Sequence, residues 1–214
     1  MSKSIVVTFG WTESPVIGAI VRHGLESGDR IILLKPTDSD ERAEKAVGDL
    51  RAFLRNIAGV ELVEKEIDVS NFVNAVISIK RLLDDESLNR DLIVNLSGGM
   101  RILVLATYLA SLFTKKIRME IESENRKFRV VLPSISISHV LKLKNTHLRI
   151  LKILQLYKGE CSIKDLMISS KFSRSTLYAY IKDLENLGLV KRSNKRGSLK
   201  ITDRGMLLAT LLGG

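Results

Sequence analysis

Cysteine is nearly missing from this 214-residue chain, with Cys161 the single one. That excludes a disulfide framework and a thiolate metal cluster, and it suits a reducing compartment. The three histidines, His23, His139 and His147, lie far apart without metal-ligand spacing, so each is expected in packing or at the surface. No basic stretch followed by a long apolar one opens the sequence; Ser4–Phe9 reads as a strand and not as a signal peptide. The apolar run at 102–113 is well short of the ~20 residues that span a bilayer. A cytoplasmic protein without membrane contact is expected. Neither G-x-G-x-x-G nor G-x-x-x-x-G-K-[ST] occurs, and Lys35-Pro36 ends the second strand where a dinucleotide fold has an acid. A dinucleotide cofactor and NTP hydrolysis therefore lack support.

Positive charge is what the chain has in excess, a net +10. Residues 1–139 hold 19 Lys/Arg against 19 Asp/Glu, whereas residues 140–214 hold 15 against 5. The whole surplus sits in the last third, the pattern of a polyanion-binding module joined to a neutral one.

The neutral part alternates strand and helix signals. Ser4–Phe9, Asp29–Leu34, Val60–Val69 and Asp91–Val94 read as strands. Between them run apolar stripes at helical spacing: Val16, Ile17, Ile20, Val21 and Leu25; then Ala43, Ala46, Val47, Leu50, Phe53, Leu54 and Ile57; then Phe72, Val73, Val76, Ile79 and Leu83. Lys116–Ser123 and Lys127–Leu132 read as a closing hairpin. This order predicts a mostly parallel α/β sheet with helices on both faces.

Its most informative stretch is Asn95-Leu96-Ser97-Gly98-Gly99-Met100-Arg101, between the fourth strand and the 102–113 helix. Glycines there admit close approach of a ligand to backbone N–H groups at a helix N-terminus, where the dipole favours an anion. Arg101 in the first turn adds a forked cation, unfavourable for the helix alone. Read as structure only, the stretch is a tight turn with Arg101 bonded to a neighbouring carbonyl. A second strand-to-helix loop, Thr8-Phe9-Gly10-Trp11-Thr12-Glu13-Ser14-Pro15, is rich in hydroxyls and carries an exposed-looking tryptophan. If strands one and four are neighbours, the two loops meet at the carboxyl edge of the sheet as walls of one site.

Beyond Pro133–His139, which reads as an extra strand or an extended connection, the basic part resembles a winged helix-turn-helix. A helix from Thr146 precedes a short helix capped by Ser162 and a third capped by Ser173; a basic hairpin and a final helix over Asp203–Leu212 follow. Helical phase puts Arg174, Ser175, Thr176, Tyr178 and Lys182 outside with Ser173, while Lys191, Arg192, Lys195, Arg196 and Lys200 load the wing. These are the candidate DNA contacts. The expected domains are 1–133, a linker at 134–145, and 146–214. Asp84-Asp85-Glu86 reads as a solvated helix end, and nothing near Cys161 suggests an activated thiol. With no catalytic constellation and no metal site, an enzyme is not expected.

Asn95 to Arg101 ahead of an apolar helix, with Thr8-Phe-Gly-Trp-Thr-Glu13 after the first strand and a winged helix behind, resembles the CARF family, CRISPR-associated Rossmann-fold sensors, in its archaeal Csa-type winged-helix form. The resemblance implies a Rossmann-like fold and a homodimer whose paired sensors bind a cyclic oligoadenylate, typically cyclic tetra-adenylate. It also implies transcriptional control of CRISPR genes through promoter DNA. The implied ligand residues are Gly10 to Glu13 and Ser97 to Arg101, with Thr8, Phe9 and Asn95 beside them. Asn95 stands where Asp is commoner. Slow cleavage of the ring, or a winged helix that docks protein, are the alternatives.

Overall fold

The computed structural model describes residues 2–38, 41–55, 57, 59–125, 127–132, 140–195 and 197–212. The chain forms two compact units, Met1–Ser136 and Ile137–Gly214. The connection expected at Pro133–His139 lies outside the described residues.

The first unit runs β1 (Lys3–Thr8), α1 (Ser14–His23), β2 (Arg30–Pro36), α2 (Glu41–Leu54), β3 (Glu61–Ile67), α3 (Phe72–Asn89), β4 (Asp91–Asn95), α4 (Arg101–Leu112), β5 (Ile117–Glu122) and β6 (Arg129–Leu132). Its six-stranded sheet has the order β3-β2-β1-β4-β5-β6. Neighbouring strands are parallel up to β5, and β6 closes antiparallel to it. The order reverses between β1 and β4, and there the first and fourth strand-to-helix loops leave side by side.

Alternation along β1 sends Ile5 and Val7 to one face and Val6 to the other. The first face packs on Val16, Ala19 and Ile20 of α1 and on Ala46, Val47 and Leu50 of α2. The second packs on Ala75, Ile79 and Leu83 of α3 and on Leu103, Ala106 and Ala110 of α4. Four residues expected inward are not: Val21 is 75% exposed, Val73 64%, Phe53 37% and Phe72 36%, while the smaller Ala19, Ala46 and Ala75 of the same helices are buried. On α4 the division is sharper. Thr107 and Ser111 are buried, their hydroxyls bonding the carbonyls of Leu103 and Thr107, while Ile102, Leu105 and Tyr108 face out. Glu86 is not a solvated helix end either, since it pairs with Arg30 and accepts from Ser4.

The second unit runs α5 (Asn145–Leu156), β7 (Glu160–Ser162), α6 (Ile163–Ser170), α7 (Arg174–Asn186), β8 (Val190–Arg192), β9 (Ser198–Ile201) and α8 (Asp203–Leu212). Its antiparallel sheet has the order β7-β9-β8. Ile150, Leu151 and Leu154 meet Leu166, Leu177, Ile181, Leu184, Leu199 and Leu208 in its buried interior. Ser162 caps α6 by accepting from Asp165 N at 3.1 Å, and Ser173 caps α7 by accepting from Thr176 N at 3.3 Å. Cys161 is buried in β7, where burial and then the Asp165 charge push its thiol up, so it is not an activated nucleophile.

Candidate functional site

At the switch point, three glycines let two loops touch through their backbones. A Cβ on Gly10 would stand 2.9 Å from the Gly99 nitrogen, one on Gly98 2.8 Å from the Thr8 carbonyl oxygen, and one on Gly99 2.9 Å from that of Phe9. Gly99 also has φ +87°, a left-handed value. Beneath them, buried Asn95 folds the turn. Its Oδ1 accepts from Ser97 N at 2.9 Å, and its Nδ2 donates to Glu120 Oε1 at 3.0 Å. Ser97 Oγ in turn accepts from Glu122 N at 2.9 Å.

Above this turn opens a cavity of about 440 Å³. Phe9, Gly10, Trp11 and Thr12 wall one side, Ser97, Gly98, Gly99 and Met100 another, and Lys35, Pro36, Asp38 and Ala43 the third. α4 starts at its rim without help: Met100 offers no side-chain cap, and its first turn holds no acidic residue. The leading N–H groups of the helix are thus left for an outside acceptor. Arg101 is exposed and has no hydrogen bond or ion pair among the described residues, so the carbonyl-bonded alternative does not hold.

Not every expected ligand residue faces the cavity. Thr8 and Asn95 are wholly buried outside the cavity lining, with Thr8 Oγ1 donating to the Asn95 carbonyl at 3.4 Å, and so join the two loops from beneath. Glu13 sits at the N-cap of α1 without a side-chain cap bond, and beside it Thr12 Oγ1 accepts from Ser14 N at 3.3 Å. Arg101 stands just beyond the lining. Trp11 is 69% exposed at the mouth.

The β2 wall was missed by sequence reasoning. Lys35 is buried, with Nζ donating to Glu44 at 2.7 Å and Glu64 at 2.9 Å. Burial alone would lower its pKa, but the two carboxylates outweigh that and hold the ammonium above its ordinary value. Asp38, two residues past the end of β2, also lines the cavity. The signal available was its place after the second strand of an alternating α/β pattern.

Glu120 ties the site to its surroundings. Fully buried, it accepts from Arg22 at 3.1 Å, Arg129 at 2.9 Å and Asn95, and lies 2.9 Å from His23 Nε2. Burial would raise its pKa, but His23 and Arg22 hold it below the ordinary carboxylate value. No group of His, Cys, Asp and Glu among the described residues could hold a metal ion.

In the second unit, Ser173, Arg174, Ser175, Thr176, Tyr178 and Lys182 are all exposed, as are Lys191, Arg192, Lys195 and Lys200. Arg196 lies outside the described residues. Tyr178 joins recognition helix and wing, with the Arg174 and Arg192 guanidinium carbons 5.8 and 5.9 Å from its ring centre. Arg192 Nε also pairs with Glu185 at 2.7 Å. Lys191 and Lys200 are direct cross-strand partners. Like charges placed opposite each other weaken a sheet, so an outside anion would relieve them.

No helix among the described residues is long and apolar enough to cross a membrane. No curated protein matches the chain. Among solved structures, it is similar to protein VC1899 from Vibrio cholerae at 14% identity, TM-score 0.49, over 98% of this chain and 64% of that one. Two Thermotoga maritima RuvB variants align at 17% and 16% identity with TM-score 0.29, over 97% and 98% of this chain and 78% and 87% of theirs. All three overlaps are too loose to carry an argument. The family models are decisive: residues 3–133 match the Csa3 CRISPR-associated Rossmann-like domain and residues 143–191 the winged helix-turn-helix DNA-binding domain. The chain belongs to the Csa3 family, in which a CRISPR-associated Rossmann-like domain is here joined to a winged helix-turn-helix DNA-binding domain.

Proposed function

We propose that the sensor domain binds a cyclic oligoadenylate, cyclic tetra-adenylate in the first instance, and that the winged helix reads promoter DNA of CRISPR genes in response. The observation that carries this is the uncapped start of α4, opening with Arg101, unpaired among the described residues, beside an interleaved glycine turn and a cavity of about 440 Å³. Such a helix start suits a phosphate, and the glycines let it approach.

The working unit is a homodimer. Ile102, Leu105 and Tyr108 form an exposed apolar stripe on α4, continuous with exposed Met100 at the cavity rim. Pairing that stripe with a second copy would bring two α4 starts together about a two-fold axis, which suits a symmetric ring of phosphates. We read the protein as a receptor and not an enzyme. Lys35, the lysine among the described lining residues, is locked between two carboxylates and is not free to act as a base. A cytoplasmic location follows from a partner that is genomic DNA.

The test is calorimetry of cyclic tetra-adenylate into purified dimer, with a mass spectrum of small molecules released on denaturation. Micromolar or tighter binding at one ring per dimer is expected. No heat with cyclic tetra- or hexa-adenylate, and no nucleotide released, would overturn the reading.

A further inference from the structure

The cavity is two-sided in charge. On the α4 side lie helix N–H groups, Ser97 and Arg101, all offering hydrogen-bond donors or positive charge. On the β2 side, Lys35 and Arg51 are matched by Glu44 and Glu64. That leaves Asp38, exposed at the cavity wall, as the surplus charge, with no hydrogen bond or ion pair among the described residues. A carboxylate at a cavity wall repels phosphate and seeks a neutral donor. Between the two ends stand apolar Phe9, Pro36, Ala43 and Met100, and exposed Trp11. An indole at a cavity mouth offers a face on which a base stacks.

From this polarity we infer that Asp38 is a specificity-determining residue that accepts a hydrogen bond from a ribose 2′-hydroxyl, so that the site takes ribonucleotides and rejects deoxyribonucleotides. The inference rests on the oligoadenylate reading and deepens it. Phosphate goes to the α4 end, the base lies against Trp11, and the sugar edge turns to Asp38. The 2′-hydroxyl is the group by which a protein separates RNA from DNA at such a site. In a regulator that also meets DNA, this discrimination keeps single-stranded DNA out of the sensor.

The experiment titrates full-length dimer at fixed salt with cyclic tetra-adenylate and with its all-2′-deoxy counterpart, using wild type, Asp38→Asn and Asp38→Ala. Wild type is expected to prefer the ribose ring by roughly tenfold or more, the scale of one charged hydrogen bond. Asp38→Ala should weaken the ribose ring by a similar factor and leave the deoxy ring within about twofold, collapsing the preference. Asp38→Asn, which keeps an acceptor, should restore part of it. Equal wild-type affinity for both rings, or a preference that survives Asp38→Ala, would overturn the role of Asp38 while leaving the receptor intact. Binding of neither ring by wild type would overturn the receptor reading itself, and the assignment of Asp38 with it.

Discussion

The side-chain amide of Asn95 donates to the buried carboxylate of Glu120 at 3.0 Å, and this bond decides why position 95 is an amide. With Nδ2 committed to Glu120, Oδ1 is left to accept the Ser97 N–H and set the glycine turn. An aspartate there would place a second carboxylate against the first. Asn95→Asp is expected to cost about 1–3 kcal/mol of unfolding free energy at neutral pH. The new buried carboxyl should titrate above its unfolded pKa, so the deficit should shrink as pH falls and widen as it rises. Denaturant unfolding at several pH values checks this, and a deficit independent of pH would count against the buried pair.

Glu120 itself gives the opposite slope. Its folded pKa lies below the ordinary carboxylate value of 4.5, so it contributes stability above that pH and loses it as pH falls through the folded pKa. Glu120→Gln should flatten the acid limb of the sensor domain's stability curve below about pH 4.5. An acid limb unchanged in the variant would remove Glu120 from the account.

How far these features were legible from the residues varies with their physics. The alternating strand and helix order, the loop pairing at the switch point and the caps at Ser162 and Ser173 all follow from local pattern and turn chemistry. Helix faces were less certain where Ala competes with a larger neighbour, as at Val21 and Val73, because periodicity weighs hydrophobicity and not the distance to the sheet. β7 escaped notice because three residues, Glu160–Ser162, form a strand only when β9 pairs with them. Glu120 and Asp38 escaped because their roles depend on groups from other elements, Arg22, Arg129 and Asn95 for one and the cavity walls for the other.

The winged helix is expected to lose stability in acid through His147. His147 is buried edge-on to Tyr180 at 5.4 Å, and its Nδ1 accepts from Lys144 N at 3.2 Å. Burial lowers its pKa below 6.5, Asp183 opposes this, and Lys144 adds to it. The neutral ring is therefore the folded form, with stability present above pH 6.5 and lost as pH falls through the folded pKa. His147→Phe should remove that slope below pH 6.5, seen by thermal melting of the full chain. A slope that persists would place its origin elsewhere.

Contacts with DNA should divide by place. If ~4–8 phosphates are met per dimer, log K should fall against log[salt] with a slope of roughly −4 to −7. Lys191→Glu relieves the Lys191–Lys200 opposition without facing a carboxylate on another strand, so the free wing should gain slightly in stability while DNA affinity drops for every sequence. Tyr178→Ala frees Arg174 and Arg192 and should alter preference among sequences more than overall affinity. Gel shifts at three salt concentrations with two unrelated duplexes separate these outcomes.

On the receptor reading, Arg101 is the point at which ligand binding would be coupled to the operator. Standing unpaired at the positive start of α4, it gains a partner only when an anion arrives, and Arg101→Ala should cost about 1.5–3 kcal/mol of cyclic-ligand affinity. Ligand bridging two copies at that point would fix the geometry of the dimer and hence the spacing of the two α7 helices. DNA needs that spacing to match one helical turn, ~34–36 Å, or a multiple. Operator binding should therefore tighten when the ring is bound, by a factor of roughly 5–150. Linkage then requires the operator to tighten ring binding by the same factor. Arg101→Ala should lower this factor at saturating ligand if the guanidinium helps to bridge, and leave it intact if it only anchors. The measurement is operator titration of the dimer with and without saturating cyclic tetra-adenylate, for wild type and variant. Equal dissociation constants for the wild type would mean that ring and operator bind independently, and that the sensor domain serves some purpose other than control of DNA binding.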